Sequence, residues 1–455
     1  MKNANTKSRA SSVSKLRARL LTSWAAVSVL AASLLFIGLL TGCPHNQPSA
    51  VDQPPAKPVD PIFKTDGNGK ITGYKCAQEA LPANLVIPAK IGDEEIKEID
   101  IYAFYNCKGL TSISLPANLT KIGESAFEDC TGLTSISLPA NLTKIGHRAF
   151  SGCTGITSIT LPANLTEIGY SAFSSCMGLT SITLPANLTK IDDSAFSGCT
   201  GLISLTIDSA NTKYKTEGNI LYSKDGSTLI FAAGGLTSAN IPGTVTTIGS
   251  DAFSGCSGLT SVHLPANLTK IESGAFSCCT GLTSITLPAN LTEIDDSAFE
   301  RCTGLTSISL PANLTQIGWR AFYGCTGLAS ITLPANLTQI GWGAFYGCTG
   351  LTSITLPANL SQIDDSAFYG CTGLTSVTLP ANLTKIGGYA FSGCTGLTSA
   401  VFADTNNWKV YNDKEHTENE TEISSSDLAD VSKAAKYLCG WSFNGGYCDK
   451  YWKKD

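Results

Sequence analysis

The stretch "GLTSITLPANLTKIDDSAFSGCT", Gly178–Thr200, decides the fold, because almost the same 23 residues recur about a dozen times along the chain. A fixed period between roughly 20 and 50 residues is the signature of a solenoid, in which each repeat forms one coil that stacks on the next. The chain has 455 residues, a length that would otherwise suggest several ordinary domains. The repeat instead predicts one long stack of coils.

The spacing of apolar residues in this stretch predicts where the backbone is extended. Leu179, Ile182 and Leu184 end in the apolar and polar alternation of a strand with one buried face. Pro185 closes the strand, since proline has no N–H for a sheet ladder. The predicted fold class is therefore a β-rich repeat solenoid, with one β-strand per coil and short helical or irregular turns on the opposite side.

An Ala-Phe pair marks every coil and places twelve of the 17 phenylalanines in one column. About six large apolar side chains per coil contribute roughly 1.5–3 kcal/mol each on burial. Ordering the backbone of one coil costs about 1–2 kcal/mol per residue, so a single coil cannot fold alone. Stacking of the coils supplies the missing stabilisation, and we expect the phenylalanine column to form the core. Its members are Phe104, Phe127, Phe150, Phe173, Phe196, Phe253, Phe276, Phe299, Phe322, Phe345, Phe368 and Phe391.

The pattern L-x-x-I-x-L-P-x-N-L-x-x-I-G-x-x-A-F-x-x-C-x-x recurs in register over about residues 80–403. It resembles the BspA-like type of bacterial leucine-rich repeat. The resemblance implies an exported protein, often a surface lipoprotein of host-associated bacteria, that attaches to host or neighbouring-cell molecules. It implies no catalytic residues, and the sequence shows no nucleophile elbow or phosphate loop, so we do not expect an enzyme.

The period breaks once, between Cys199 and Cys256, which are 57 residues apart. The segment Asn219–Ala233, "NILYSKDGSTLIFAA", has two alternating runs around an Asp-Gly turn and predicts a β-hairpin that either bends the stack or presents a side surface. We therefore expect a leucine-rich repeat solenoid over residues 63–403, with the hairpin insertion at about 208–235. Residues 404–455 are predicted to form a C-terminal capping segment with one helix, over Ser424–Leu438.

Residues 1–42 have the basic start and the apolar run, Trp24 to Leu40, of an export signal peptide. The run ends in "LTGC", which resembles the lipobox of bacterial lipoproteins. This resemblance implies that Cys43 becomes the lipid-bearing N-terminus and makes the membrane a partner of the protein. An uncleaved transmembrane helix is the alternative, because the run is at the short limit for spanning.

Residues 43–62 contain six prolines after the cysteine and predict a semi-rigid linker between the lipid and the solenoid. The expected location is extracytoplasmic, anchored by lipid to a bacterial membrane, with the outer membrane or cell surface as the favoured place. The sequence does not define the oligomeric state.

Charge and ligand spacing exclude several partners. The chain has 31 Lys and Arg against 36 Asp and Glu, a formal net charge of −5, which gives no nucleic-acid footprint. Its four histidines are scattered, and no cysteine pair has the spacing of a zinc site, so we expect neither a metal nor a cofactor.

Seventeen cysteines need separate interpretations. Twelve form a column in an apolar slot, and we interpret them as buried free thiols, although neighbours in the column are within disulfide range. Cys439 and Cys448 lie outside the repeat and form a possible disulfide. The column consists of Cys107, Cys130, Cys153, Cys176, Cys199, Cys256, Cys279, Cys302, Cys325, Cys348, Cys371 and Cys394.

Residues between Ile-Gly and Ala-Phe vary from coil to coil, and there the chain places aromatic residues close together. Trp319 and Trp342 lie in adjacent coils and are accompanied by an arginine and three tyrosines. Exposed aromatic residues with an arginine are typical of binding hot spots, although they also serve as cover over a neighbouring coil. The candidate binding residues are Trp319, Arg320, Tyr323, Trp342, Tyr346 and Tyr369.

A second regular surface is predicted on the strands, whose outward positions are almost all serine or threonine; His263 is an exception. This face is either a solvated sheet surface or a binding face for an extended polymer. The sequence thus favours an adhesion or interaction module that binds host or neighbouring-cell proteins or glycans. The alternative is a passive structural or antigenic surface coat without a dedicated ligand.

Overall fold

The computed structural model describes residues 62–74, 82–417, 420–440 and 444–454. The predicted signal peptide, Cys43 and all of the proline-rich linker before Ile62 lie outside these residues. Among the residues described, none of the helices has the length and apolar character that crossing a membrane requires.

Most coils contain a strand that turns serine or threonine outward and an aliphatic residue inward, whereas Ser158 and Ser284 form only isolated bridges. Ser181–Leu184 pairs in parallel with Ser204–Ile207, so Ile182 lies opposite Leu205 in the core. We call this series of strands the hydroxyl ladder. Its strands are Asn84–Val86, Ser112–Ser114, Ser135–Ser137, Ser181–Leu184, Ser204–Ile207, Ser238–Asn240, Ser261–His263, Ser307–Ser309, Ser330–Thr332, Ser353–Thr355, Ser376–Leu379 and Ser399–Phe402.

A second, two-residue strand follows in most coils, where the sequence predicted only one strand. Glu167–Ile168 pairs in parallel with Lys190–Ile191, and the Lys190 ammonium lies 3.0 Å from the Glu167 carboxylate. The short extended segment pairs because stacking brings identical segments of successive coils side by side. These strands are Glu98–Ile99, Lys121–Ile122, Lys144–Ile145, Glu167–Ile168, Lys190–Ile191, Thr247–Ile248, Lys270–Ile271, Glu293–Ile294, Gln316–Ile317, Gln339–Ile340, Gln362–Ile363 and Lys385–Ile386.

The Ala-Phe segment forms the third side of the coil as an irregular turn. Ser194 has φ 59°, in the left-handed region, which is incompatible with a regular helical turn. The Phe127 N–H donates to the Ala149 carbonyl of the next coil at 2.8 Å, so the turns are also joined coil to coil. Within each run of coils the phenylalanine rings stack with centroids 5.0–5.5 Å apart.

The Asn-Leu-Thr triplet of the repeat supplies side-chain bonds between coils. The Asn187 amide donates to the Ala163 carbonyl at 2.9 Å, and the Thr189 hydroxyl donates to the Thr166 carbonyl at 3.2 Å. Equivalent bonds recur along the stack, so carbonyl groups at the turns have hydrogen-bond donors although they lie outside the strands.

The insertion between the two runs of coils is a layer of the stack. Its antiparallel strands are Tyr214–Glu217, Ile220–Ser223 and Thr228–Ala232, and the last pairs in parallel with Thr247–Ile248 of the next coil. Leu221 and Phe231 pack with the core of the preceding coils. Side chains of the same strands also pack with the core of the following coils, namely Ile220, Tyr222, Leu229 and Ala232.

Other strands complete the two ends of the stack. At the N-terminal end, Phe63–Thr65 pairs antiparallel with Lys70–Tyr74, and Lys90–Ile91 pairs with Glu94–Glu95. At the C-terminal end, Tyr451–Lys454 pairs antiparallel with the last two-residue strand and places Trp452, 1% exposed, opposite Ile386. The remaining strands there are Trp408–Tyr411 and Thr421–Glu422.

The C-terminal segment contains two helices where the sequence predicted one. Helix α1 covers Ser425–Ala429 and helix α2 covers Val431–Cys439. Asp430 separates them, because its carboxylate accepts hydrogen bonds from the backbone N–H groups of Ser432 and Lys433 and caps α2.

Candidate binding surface

The six predicted binding residues lie together on the Ala-Phe side of the stack, and we call them the aromatic surface. Trp319 is 51% exposed and Trp342 is 40% exposed. The backbone N–H of Trp319 donates to the Asp296 carboxylate at 2.8 Å, which fixes the turn that carries the indole. Both indoles thus present a large apolar area to solvent from adjacent coils.

Three tyrosines form the base of this surface. Tyr323, Tyr346 and Tyr369 follow the Ala-Phe pair in successive coils, and their rings stack with centroids 4.8 and 4.6 Å apart. The coil spacing sets this separation, which lies within the range of favourable aromatic pairs. Burial raises the pKa of the central Tyr346 hydroxyl, and the neighbouring tyrosines add to the shift.

Arg320 connects the tyrosine stack to the tryptophans. Its guanidinium carbon lies 4.1 Å from the centroid of the Tyr323 ring and 5.8 Å from that of Trp342. One guanidinium nitrogen is also 3.6 Å from the Glu300 carboxylate. Cation–π and ionic contacts therefore hold the guanidinium between the two kinds of ring.

The arrangement is suited to binding through surface contact. Its rings are rigid and amphipathic, so ordering them against a partner costs little conformational entropy. Asp296 and Glu300 border it on the preceding coil, and the Glu300 carboxylate adds negative charge near the guanidinium. Within the described part of the chain, no group of three histidine, cysteine or acidic side chains is placed to hold a metal ion.

The cysteines have other surroundings. All twelve of the column are buried free thiols, and a typical one, Cys199, donates from its Sγ to the Phe173 carbonyl at 3.1 Å. Burial raises the pKa of the Cys199 thiol to about 12. Cys439 is half-buried and Cys448 is buried; both are free thiols here, and the disulfide between them stays a prediction. Cys43, the predicted lipid site, lies outside the described residues.

A shallow groove of about 680 Å³ lies on the hydroxyl ladder and includes His263 and Asn240 among its lining. The sequence pattern indicated His263 but missed Asn240, because its strand follows the insertion and the period is shifted there. The signal was present, since asparagine replaces the serine or threonine of the neighbouring coils.

Comparisons with known proteins agree with this architecture. A sequence profile described as the BspA type Leucine rich repeat region matches residues 94–218, 227–341 and 292–412, with 6 copies. These matches cover more than half of the chain. Comparison with curated proteins gives no match.

Among solved structures, a leucine-rich repeat protein from Eubacterium ventriosum is similar with TM-score 0.64 and 25% identity, covering 74% of this chain and 93% of that protein. One from Bacteroides ovatus has 30% identity and TM-score 0.43, with 74% and 91% covered. A leucine-rich cell surface protein from Faecalibacterium prausnitzii has 24% identity and TM-score 0.46, with 82% and 100% covered. By the repeat that its sequence profile matches and the solenoid that this repeat builds, the chain belongs to the BspA-type leucine-rich repeat family.

Proposed function

We propose that this protein is an interaction module displayed on a bacterial surface, where the aromatic surface binds proteins or glycans of a host or of neighbouring cells. The observation that carries the proposal is the exposure of Trp319 and Trp342 above an ordered tyrosine stack. Exposed tryptophan and arginine next to stacked tyrosine is the composition of an interface anchor.

The repeat itself supports this interpretation, because the fold does not need tryptophan at these positions. Coils with other side chains there have the same turn and the same buried phenylalanine. The equivalent residues are Ile101, Glu124, His147, Tyr170, Asp193, Ser250, Ser273, Asp296, Asp365 and Gly388. A contiguous group of large apolar side chains exposed without a structural need indicates an interaction site.

Binding by the full chain tests the proposal. The protein, purified in mild detergent, is applied to immobilised matrix proteins, cell-surface glycans and whole bacterial cells, beside a Trp319→Ala/Trp342→Ala variant. Tyr170→Ala is the matched control, because Tyr170 is 42% exposed at the equivalent position of a coil outside the aromatic surface. Circular dichroism first shows that each variant keeps the fold.

We expect saturable binding that the double variant loses and the Tyr170→Ala variant retains. Saturable binding that the double variant keeps would contradict the assignment to the aromatic surface. If no target binds saturably, the alternative is favoured, a passive coat whose nearly identical coils serve as structure.

The proposed surface display depends on Cys43 as the lipid-bearing residue, and this part has its own test. A Cys43→Ala variant should no longer incorporate labelled fatty acid or fractionate with membranes. Continued membrane association of the variant would favour the alternative, an uncleaved apolar segment that holds the chain.

A further inference from the structure

The groove on the hydroxyl ladder opens just after the hairpin layer. Asn240 and His263 lie opposite each other on paired parallel strands, and Thr286 occupies the same outward position in the next coil. All three side chains are exposed. The groove has a volume of about 680 Å³, which is within the range of small-molecule and oligomer sites.

Core residues smaller than those of most coils border the groove. Most coils place isoleucine at the inward position of this strand, but here the residues are Ala239 and Val262. Val262 is half-buried, whereas Val377 at the equivalent position of another coil is 2% exposed. Val262 therefore adds a partly exposed apolar surface to the lining of the groove.

The walls carry uncharged groups that both donate and accept hydrogen bonds. The amide of Asn240, the imidazole of His263 and the hydroxyl of Thr286 have this dual capacity. No aspartate, glutamate, lysine or arginine lines the groove in the described structure. Between the first and last coils, Asn240 and His263 are the departures from serine or threonine at this position. The lining consists of Ser238, Ala239, Asn240, Ser261, Val262, His263, Leu264, Ala266, Thr286, Pro288 and Ala289.

We propose that this groove binds a segment of an uncharged glycan, independently of the aromatic surface on the other side of the coil. Sugar hydroxyl groups both donate and accept, so they pair with the Asn240, His263 and Thr286 row, while a sugar ring packs its C–H face on Val262. A polyanion meets no cation in the lining. A peptide meets none of the tryptophan, tyrosine or arginine anchors on which peptide and protein interfaces depend.

Calorimetric titration of the full chain tests this site with defined probes. These are maltohexaose, a mannose hexamer and a pentamer of N-acetylglucosamine, with a heparin hexasaccharide and an uncharged peptide as competitors of other classes. The Asn240→Thr/His263→Thr variant restores the residue type of the other coils and should fold normally; it keeps hydroxyl groups that donate and accept but removes the reach of the longer amide and imidazole. The Ala239→Ile/Val262→Ile variant replaces this part of the lining with the isoleucine that most coils have.

We expect at least one neutral oligosaccharide to bind saturably, and each double variant to weaken it about tenfold or more, a change of about 1.4 kcal/mol. The Trp319→Ala/Trp342→Ala variant should bind this sugar normally, which separates the groove from the proposed aromatic site. The inference is overturned if no neutral oligosaccharide saturates, if the groove variants bind it as tightly as the parent, or if the heparin fragment or the peptide binds more tightly.

Discussion

Phe231 of the hairpin layer lies against Phe196 of the preceding coil, with ring centroids 5.4 Å apart and ring planes inclined by 37°. Rings within a run are nearly parallel, as between Phe173 and Phe196, where the angle is 3°. The tilt arises because Phe231 projects from a strand and not from an Ala-Phe turn. The insertion therefore continues the phenylalanine column with a residue that the repeat does not supply.

Replacing Phe231 with alanine should weaken the junction between the two runs of coils. We expect the free energy of unfolding to fall by about 3–5 kcal/mol, because a buried aromatic side chain is lost. Solenoid stability is approximately the sum of each repeat and its neighbour interfaces, so the two runs should then unfold at separate temperatures. Differential scanning calorimetry should show two unfolding transitions for the Phe231→Ala variant and fewer for the parent protein.

Phe150→Ala is the matched control, because Phe150 is buried in the middle of a run with neighbours at 5.3 and 5.4 Å. It should lower stability without separating the two runs. A Phe231→Ala profile that keeps the shape of the parent transition would contradict a junction role.

Among the asparagines of the turns, we expect removal of the Asn211 side chain to lower the free energy of unfolding most. It is 1% exposed, and its amide donates to the carbonyls of Pro185, Ala186 and Leu188, while its oxygen accepts from two backbone N–H groups. Asn211→Ala leaves several of these groups buried without partners, at about 1–3 kcal/mol each. We expect urea unfolding to show a loss of about 3 kcal/mol or more.

Asn313→Ala provides the comparison, since this exposed side chain makes one such bond, to the Ala289 carbonyl at 2.9 Å. Its loss should be about 0.5–1.5 kcal/mol. Equal losses for the two variants would show that the buried network at Asn211 adds nothing beyond an ordinary turn bond.

The sequence predicted the core well because stacking requires the same apolar slot in every coil. Leu179, Ile182 and Phe196 are buried where the period places them. The hairpin layer was harder, since its strands carry apolar groups on both faces and contact two cores. Ile220 and Leu221 point to opposite sides of the layer, and only the packed neighbours reveal that both sides are buried.

The candidate sites were predictable in composition more than in geometry. Regular coil spacing places Tyr323 and Tyr346 side by side, so their proximity follows from the repeat. Whether Trp319 covers its neighbour or faces solvent depends on the side-chain orientation, which periodicity does not specify. The groove places Val262 beside Ala239 of the adjacent strand, a relationship that only the register defines.

The buried thiols should make the protein less stable in alkaline solution. Burial raises the pKa of Cys153, Cys199 and Cys256 to about 12, above the value of about 8.5 for an unfolded thiol. Above about pH 8.5 the unfolded chain loses protons that the folded chain keeps, so the free energy of unfolding falls as pH rises toward 12. Below about pH 8.5 the buried thiols make their full contribution to the free energy of unfolding. Urea unfolding between pH 7 and about pH 10 would measure the decline.

A Cys153→Ala/Cys199→Ala variant should start from lower stability but show a shallower decline with pH, because two of the titrating thiols are gone. An unchanged slope would mean that other groups cause the alkaline loss.

Alkylation should distinguish the buried cysteine column from Cys278, which lies beside it and is less buried. Cys278 is half-buried, whereas Cys279 beside it in sequence is fully buried. Reaction depends on access of the reagent to the thiolate, so iodoacetamide at pH 8 should modify Cys278 in the folded protein and Cys279 only in urea. Peptide mass spectrometry assigns the two sites. Native modification of Cys279 at the rate of Cys278 would show that the column opens.

Arg320 gives the sharpest test of the aromatic surface, because the chain contains a matched arginine. Arg148 occupies the same position in an earlier coil, with φ 53° against 54° for Arg320, and lies 3.9 Å from Glu128 much as Arg320 lies 3.6 Å from Glu300. Arg320 differs in lying over the Tyr323 ring. Each arginine changed to alanine should alter stability by no more than about 1 kcal/mol, since partly exposed ion pairs contribute little.

Their effects on binding should diverge. Arg320→Ala should weaken a partner captured by the aromatic surface about tenfold or more, because a central arginine packed on aromatic rings is a typical hot spot. Arg148→Ala should leave that affinity unchanged. Titration of both variants with the same partner measures the difference, and equal affinities would remove Arg320 from the binding surface. A loss of affinity in both variants would instead point to a general effect of positive charge, since net charge is the property that the two substitutions share.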